Sequence, residues 1–147
     1  LIALDQNPEE RQKLINNPNL ISNAADEMLR WVSSVIYMRR TAADDTEIRG
    51  QKIEKGDKLI LWYGAANRDE EVFDDAHAFR VDRGDARKHI AFGAGQHLCL
   101  GNRLGKLQIQ ILYEELLDRY PDIKVVSEPT RIPSNFLDGI SNLKVRI

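Results

Sequence analysis

The chain has 147 residues, of which 42% are hydrophobic and 30% are charged, and its formal net charge is -2. This composition is typical of a soluble globular domain, and a slightly negative charge gives no reason to expect a nucleic-acid partner. No apolar run approaches the roughly 20 residues of a membrane span, and no signal-peptide pattern opens the chain. A single cysteine permits no internal disulfide, which fits a reducing cytoplasm.

The N-terminal part of the chain is predicted to be helical. A helix is expected to begin at Pro8, with Asn7 as its cap and Glu10 completing a capping-box spacing. After the interruption at Pro18, a second helix is predicted from an apolar face at helical spacing, formed by Ile21, Ala25, Met28, Leu29 and Val32.

The middle of the chain changes to a period of two, which predicts strands. Residues 35–42, 46–53 and 58–63 carry this pattern, and Gly50 marks a turn inside the second run. These elements are expected to form small antiparallel sheets beside the helices.

The C-terminal third is predicted to be one long helix followed by short strands. The helical pattern over 102–120 is apolar on more than one side, so we expect this helix to be largely buried. Short strands are predicted at 123–126 and 143–147, around a loop at 133–141. The predicted fold is mainly α with small antiparallel β-sheets, in the α+β class.

The only cysteine, Cys99, lies in a glycine-rich turn that leads into the long helix, FGAGQHLCLG over 92–101. Glycines let the backbone fold tightly, and the positive end of the following helix stabilises negative charge at the sulfur. A lone cysteine is most often a small buried hydrophobe. As a nucleophile it would need a base such as His97, and as a zinc ligand it would lack a second thiol. Haem iron needs only one protein thiolate.

The same run resembles the cysteine loop of the cytochromes P-450, the haem-thiolate monooxygenases, whose pattern is F-x-x-G-x-x-x-C-x-G. Phe92, Gly95, Cys99 and Gly101 occupy every fixed position of that pattern. His97 stands two residues before the cysteine, as it often does in bacterial members. The resemblance implies the C-terminal, haem-binding part of that fold.

A second feature that resembles the family is the pair Glu27 and Arg30, an E-x-x-R motif about seventy residues before the cysteine. Charged pairs at this spacing usually decorate a solvated helix face. In the family, however, the pair is buried and binds an arginine in the loop that precedes the cysteine. Arg83 is the matching position here. The resemblance therefore implies a buried structural triad.

The run after residue 34 resembles the family segment that binds a haem propionate and lines the substrate side. Arg40 aligns with the propionate-binding arginine, with Arg39 as the alternative, since a slip of one residue exchanges their faces. An ordinary exposed strand arginine is the other interpretation. Val35 and Tyr37 are then expected to line the substrate, and the turn at 136–140 to reach back into the pocket.

The family resemblance implies haem b as cofactor and insertion of one oxygen atom from O2 into a C–H bond of a small apolar substrate, with a sterol or terpenoid suggested faintly by the C-terminal loop. Cys99 is implied to be the axial thiolate, and His97 and Arg40 to bind the propionates. Phe92, Gly93 and Gly101 are implied to form the cofactor-binding loop around the sulfur. No membrane partner is expected.

Residues 1–147 are expected to be the C-terminal haem-binding portion of a single larger monooxygenase domain, without the upstream helix that activates oxygen. Two alternatives remain open: a haem-binding fragment without turnover, and a non-haem interaction domain with a packed cysteine. A basic cluster flanks the loop, and it predicts either a docking patch for a ferredoxin or flavodoxin or a solvated charge run. Its members are Arg87, Lys88, Arg103 and Lys106.

Overall fold

The computed structural model describes all residues, 1–147. Its helices are α1 (Ile2–Gln6), α2 (Pro8–Asn16), α3 (Ile21–Val32), α4 (Tyr63–Ala66) and α5 (Asn102–Arg119). Short 3-10 turns lie at Pro18–Leu20, Ala86–Lys88 and Gly95–His97. Helices carry most of the regular structure, which confirms the predicted fold class.

The eight strands form four separate two-stranded antiparallel sheets. The pairs are β1 (Tyr37–Thr41) with β4 (Lys58–Trp62), β2 (Thr46–Ile48) with β3 (Gln51–Ile53), β5 (Lys124–Val125) with β8 (Val145–Arg146), and β6 (Thr130–Arg131) with β7 (Ile140–Asn142).

Two of the predicted strands are shorter in the structure. Val35 makes only an isolated bridge, to Leu137, so β1 begins two residues later than predicted. Tyr63 belongs to α4 rather than to the strand before it. The turn predicted at Gly50 is confirmed, because Arg49 and Gly50, with φ of 49° and 80°, divide the run 46–53 into two strands. Positive φ at both central residues is the geometry of a tight two-residue hairpin, so the turn separates β2 from β3.

The hydrophobic core joins α1, α2, α3 and α5 to the loop that runs from α4 toward the cysteine. Its members are Leu4, Leu14, Ile21, Ala24, Phe79, Val81, Tyr113 and Leu117. Because Phe79 and Val81 come from that loop, the core holds the approach to the cysteine against α3. This packing fixes where the candidate site lies.

The helix α2 begins at Pro8 with Asn7 at its N-cap position, as predicted, but the side chain of Asn7 makes no capping hydrogen bond. The side chain of Asn7 donates to the carbonyl of Ala3 at 2.8 Å, because Asn7 also ends α1. Glu10 is buried instead of closing a capping box, and its carboxylate accepts from the backbone N–H of Val81 at 2.8 Å. Glu10 thus connects α2 to the loop before the cysteine.

The apolar face predicted for α3 is also only partly right. Ile21 and Ala25 are buried, but Val32 is 50% exposed, whereas Asp26, Glu27 and Arg30 are buried. Hydrophobic periodicity misses this face because its charged residues find partners inside the protein. Those partners are described with the site.

The prediction that the long helix is largely buried is contradicted for α5. Only Tyr113 and Leu117 are buried, and four other apolar residues of the helix are 48% to 62% exposed: Leu104, Leu107, Ile111 and Leu112. The packed face of α5 meets α2 and α3.

None of the helices combines the length and the apolar character that crossing a membrane requires.

We predict that Ile21→Ala lowers the free energy of unfolding by about 2–4 kcal/mol, because it leaves a cavity in the core beside Leu14. The matched control is Ile48→Ala, at a position that is 52% exposed in β2. It should cost less than about 1 kcal/mol. Urea unfolding of both variants measures the difference, and equal costs would contradict the core described here.

Candidate haem-binding site

The loop before α5 is closed by its own backbone. Gly93 donates its N–H to the carbonyl of Ile90 at 2.8 Å, and Cys99 donates to the carbonyl of Phe92 at 2.9 Å. Gly93 and Gly95 have φ of 75° and 66°, which residues with a side chain rarely adopt. A Cβ at Gly93 would also lie 3.2 Å from the hydroxyl of Tyr63. The loop therefore requires these glycines.

Cys99 is exposed, so the prediction of a small buried hydrophobe does not describe it. Its carbonyl is fixed by Asn102, whose backbone N–H and side-chain amide donate to it at 3.2 and 2.6 Å. The backbone N–H groups of Leu100 and Gly101 donate to no protein acceptor. A Cβ on Gly101 would be 3.8 Å from the sulfur, so this backbone passes close to it. The sulfur thus has free N–H donors beside it.

Phe92 packs on α5 at Gly105. A Cβ at Gly105 would lie 3.3 Å from Cζ of Phe92, closer than ordinary van der Waals contact. From the sequence, Gly105 would be only a weak point in a helix, costing about 0.5–1 kcal/mol relative to alanine. In the structure Gly105 makes room for the Phe92 ring. The backbone carbonyl of Phe92 accepts the hydrogen bond from the N–H of Cys99.

The structure brings Glu27, Arg30 and Arg83 into one buried cluster. The guanidinium of Arg30 donates to both carboxylate oxygens of Glu27, at 2.6 and 2.8 Å. Nε of Arg83 lies 3.2 Å from the same carboxylate, and none of the three residues is more than 2% exposed.

The two arginines use their remaining donors on the loop between α4 and the cysteine. Arg30 donates to the carbonyls of Asn67, Ala76 and Ala78 at 2.7 to 2.9 Å. Arg83 donates to the carbonyls of Asp74, Asp75 and Ala78. Since buried carbonyls need donors, this cluster orders a segment that has little regular structure of its own.

Asn67 is a functional residue that the sequence interpretation treated only as part of a longer run. It is fully buried, its side-chain amide donates to the hydroxyl of Ser33 at 2.9 Å, and its oxygen accepts from the N–H of Ile90 at 2.8 Å. It therefore joins the end of α3 to the start of the cysteine loop. No local pattern predicts this pairing.

Asp26 is the second residue that sequence reasoning missed. It is 5% exposed, and Lys106 Nζ lies 2.6 Å from its carboxylate, with Arg87 Nε at 3.5 Å and His89 Nε2 at 3.8 Å. Burial alone would raise the pKa of Asp26. The imidazole of His89 and the ammonium of Lys106 outweigh it, so the pKa lies below its ordinary value of 3.8.

The predicted propionate ligands are both exposed. Arg40 Nη1 donates to the carbonyl of Arg39 at 3.0 Å, and His97 ends the 3-10 turn of the loop. Arg39 and Arg40 are successive residues of β1 opposite Ile60 and Leu59 of β4, so they point to opposite faces of that pair. Neither Arg40 nor His97 forms an ion pair with a protein carboxylate, so both side chains are available to an added anion.

The predicted substrate-lining residues meet the C-terminal turn. Val35 bridges Leu137, and the ring of Tyr37 lies 6.1 Å from that of Phe136 in an edge-on arrangement. The N–H of Ile36 donates to the carbonyl of Phe136 at 3.0 Å. The turn at 136–140 thus contacts the segment around residue 35, and the prediction that both line a substrate pocket stays a prediction.

A cleft of about 880 Å³ is lined mainly by apolar residues, among them Trp31 of α3, Tyr113 of α5 and Phe79 of the loop after α4. Cys99 does not line it. The sulfur instead lies on an exposed apolar surface with Leu98, which is 51% exposed, and the fully exposed Leu100.

An exposed sulfur held by a glycine-rich loop at the start of a helix, beside free N–H donors and apolar side chains, is suited to bind a metal cofactor. A family model described as Cytochrome P450 matches residues 3–145, and the chain belongs to this family. Members of the family use haem b, and they are oxidoreductases.

The relatives agree with this assignment. Linalool 8-monooxygenase of Pseudomonas putida is 46% identical over 145 residues, which are 99% of this chain and 36% of that protein. Cytochrome P450-terp of a Pseudomonas species is 41% identical over 146 residues, 99% of this chain and 34% of that protein. The chain therefore spans about a third of the length of these relatives.

The fold agrees as well. The solved structure of Cytochrome P450-153 from Novosphingobium aromaticivorans has a TM-score of 0.90 and 45% identity, and the match covers 97% of this chain and 36% of that one.

The residues present fit haem. One thiolate donor is accessible, the neighbouring leucines give an apolar surface for a porphyrin, and the N–H groups of Leu100 and Gly101 are free to stabilise negative charge on sulfur. No group of three or more His, Cys, Asp or Glu side chains is arranged to hold a metal ion without such a cofactor.

We predict that Glu27→Ala costs about 3–5 kcal/mol of unfolding free energy and impairs haem incorporation, because it leaves Arg30 and Arg83 as uncompensated buried charges. Glu114→Ala, an exposed glutamate in α5, is the matched control and should behave like the parent. Thermal melting and haem content measure both. A Glu27→Ala protein that melts and loads haem like the parent would show that the cluster stabilises nothing.

Proposed function

We propose that the protein is a haem-thiolate monooxygenase in which Cys99 is the axial ligand. Bound haem supplies the chemistry that activates O2 for insertion of one oxygen atom into a C–H bond of an apolar substrate. The single observation that carries the proposal is the exposed sulfur of Cys99, held by the Cys99–Phe92 backbone hydrogen bond with unpaired N–H groups beside it.

The other loop residues have supporting roles in this proposal. Phe92 packs beside the sulfur and limits water there, while Gly93 gives the loop its turn. The N–H groups near Gly101 donate to the thiolate and so raise the reduction potential of the bound iron. His97 and Arg40 donate charge-assisted hydrogen bonds to the propionates, which the absence of protein carboxylates around them supports.

The proposed substrate is a small apolar terpenoid or sterol. Support comes from the name of the linalool-oxidising relative and from the apolar and aromatic contacts of Val35 and Tyr37 with the C-terminal turn. Those side chains offer surface to a hydrocarbon and few hydrogen bonds that would select a polar compound. The side chains around Val35 and Tyr37 therefore favour apolar substrates as a class and do not select one compound.

The proposed electron donor is a ferredoxin or flavodoxin that docks on the basic patch, which we now define as Arg87, Lys88 and Arg103. All three are exposed, and acidic donors are steered to such a patch by complementary charge. Lys106, which the sequence placed in this cluster, is mainly committed to Asp26 at 2.6 Å. Arg87 also approaches Asp26, at 3.5 Å, but its side chain is 76% exposed.

Two other functions give different results in one experiment. A haem-binding fragment without turnover would give the haem-thiolate spectrum but no product. A non-haem interaction domain would give no Soret band when haem is supplied. The exposure of Cys99 argues against the non-haem interaction domain, because that function requires a packed cysteine.

We predict that Cys99→Ser abolishes the red-shifted carbon monoxide band of the reduced, haem-loaded protein, because serine is a poor ligand for this iron. Gln96→Ser, in the same loop and exposed, is the matched control and should keep the band. Absorption spectra of the three proteins decide the matter. An unchanged band in Cys99→Ser would disprove the assigned ligand.

We predict that reversing Lys88 and Arg103 to glutamate slows reduction by an acidic protein donor and flattens its dependence on ionic strength, since screening has a length of ~10 Å at 0.1 M salt. Reduction by dithionite, which needs no docking, should be unaffected. Reversing Lys52 and Lys124, two exposed cations outside the flanks of the loop, makes the same change in net charge. Equal rates for both double variants would leave the patch without a docking role.

A further inference from the structure

Asp26 and Glu27 are neighbours on α3 that serve two different clusters. Successive helical residues point in directions about 100° apart, so adjacent carboxylates cannot share all their partners. Glu27 binds Arg30 and Arg83, whereas Asp26 faces Lys106, Arg87 and His89. The cluster around Asp26 is separate from the family's E-x-x-R motif.

The partners of Asp26 come from both sides of the cysteine loop. Arg87 and His89 precede Cys99, and Lys106 follows it on α5. His89 and Asp26 are largely buried, with side chains 8% and 7% exposed, and Lys106 is 24% exposed. One carboxylate of α3 therefore contacts the two chain segments that enter and leave the loop.

Two partners of Asp26, His89 and Lys106, lie next to residues that support Cys99. Nδ1 of His89 accepts from the N–H of Ala91 at 3.2 Å, and the His89 ring lies 6.0 Å from the ring of Phe92. Lys106 adjoins Gly105, the residue on which the Phe92 ring rests. The contacts from His89 and from Lys106 therefore both lead to Phe92. The backbone carbonyl of Phe92 accepts the hydrogen bond from the N–H of Cys99.

The charges explain why the cluster is held tightly. Ala91 donates to Nδ1 of His89, so the ring is held with its other nitrogen, Nε2, facing the Asp26 carboxylate at 3.8 Å. Lys106 neutralises the same carboxylate, which is buried too deeply to be solvated alone. Without Asp26, the Lys106 ammonium would lack its partner, and this polar link between α3 and the two sides of the loop would be lost.

We propose that Asp26 is a positioning residue, paired with Lys106, that holds the two sides of the cysteine loop in register so that the sulfur stays in its ligating position. The proposal rests on the proposed haem-thiolate function for its spectroscopic consequence. It concerns residues outside the sulfur's own loop, and it assigns Lys106 to the interior rather than to donor docking.

The test is a double-mutant cycle in the haem-loaded protein, with Asp26→Asn, Lys106→Met and the two combined. We measure the ratio of thiolate-ligated to thiolate-free species, from the two carbon monoxide bands, at increasing urea. Each single change should lower that ratio by about threefold or more, and the combined change should lower it no further than the worse single one, as expected for one coupled pair.

Two further variants separate positioning from general charge loss. Lys106→Arg keeps a cation that can reach Asp26 and should retain the parental ratio. Arg119→Met removes an exposed cation elsewhere on α5 and should also leave the ratio unchanged. If Asp26→Asn does not fold, the contrast between Lys106→Met and Lys106→Arg still decides the proposal.

The proposal is overturned if Lys106→Met matches the parent, or if the effects of the two single changes simply add. A parent without any red-shifted band would instead refute the haem-thiolate function. In that case, urea unfolding of the same four proteins still measures the coupling of Asp26 and Lys106, and additive changes in the unfolding midpoint would overturn the pairing by themselves.

Discussion

The structure depends most on the buried carboxylate of Glu27. Removing a charge from water is expensive, and it is tolerated here because both oxygens have strong donors. Arg30 binds both of them, and the backbone N–H of Arg80 adds a hydrogen bond of 2.8 Å. With Arg83 beside it, this cluster fixes the irregular segment after α4 through the backbone carbonyls that the arginines bind. The cysteine loop is built on that segment.

A series of hydrogen bonds connects the Glu27 cluster to the loop of Cys99, and the hydrophobic core packs beneath these contacts. Ser33 and Asn67 extend the order from the end of α3 to Ile90, and the loop then closes on itself at Phe92 and Cys99. Asp26 approaches the same loop from another side of α3. The helix therefore holds the site by its charged residues, and its hydrophobic residues attach it to the core.

Sequence reasoning predicted the parts of this account that are local. The glycine spacing around Cys99, the turn at Gly50 and the E-x-x-R spacing are each readable within a few residues. The fold class was predicted from periodicity along the chain and from the family resemblance, which alone implied that the E-x-x-R pair is buried. The failures are nonlocal. Glu10 was predicted to complete a capping box and Asp26 was not singled out, because their partners, Val81 and Lys106, lie 71 and 80 residues away in the chain. Hydrophobic pattern likewise overestimated the burial of α5, since it reports apolar side chains and not which elements are available to cover them.

The central claim is that the sulfur of Cys99 binds haem iron, and the single cysteine of this chain allows that bond to be observed directly. The decisive measurement is the resonance Raman spectrum of the haem-loaded ferric protein prepared with natural cysteine and with cysteine enriched in sulfur-34. We expect the iron–sulfur stretching band to shift to lower frequency with the heavier isotope. A Raman spectrum that is identical for the two preparations, in a protein that contains haem, would contradict ligation by Cys99.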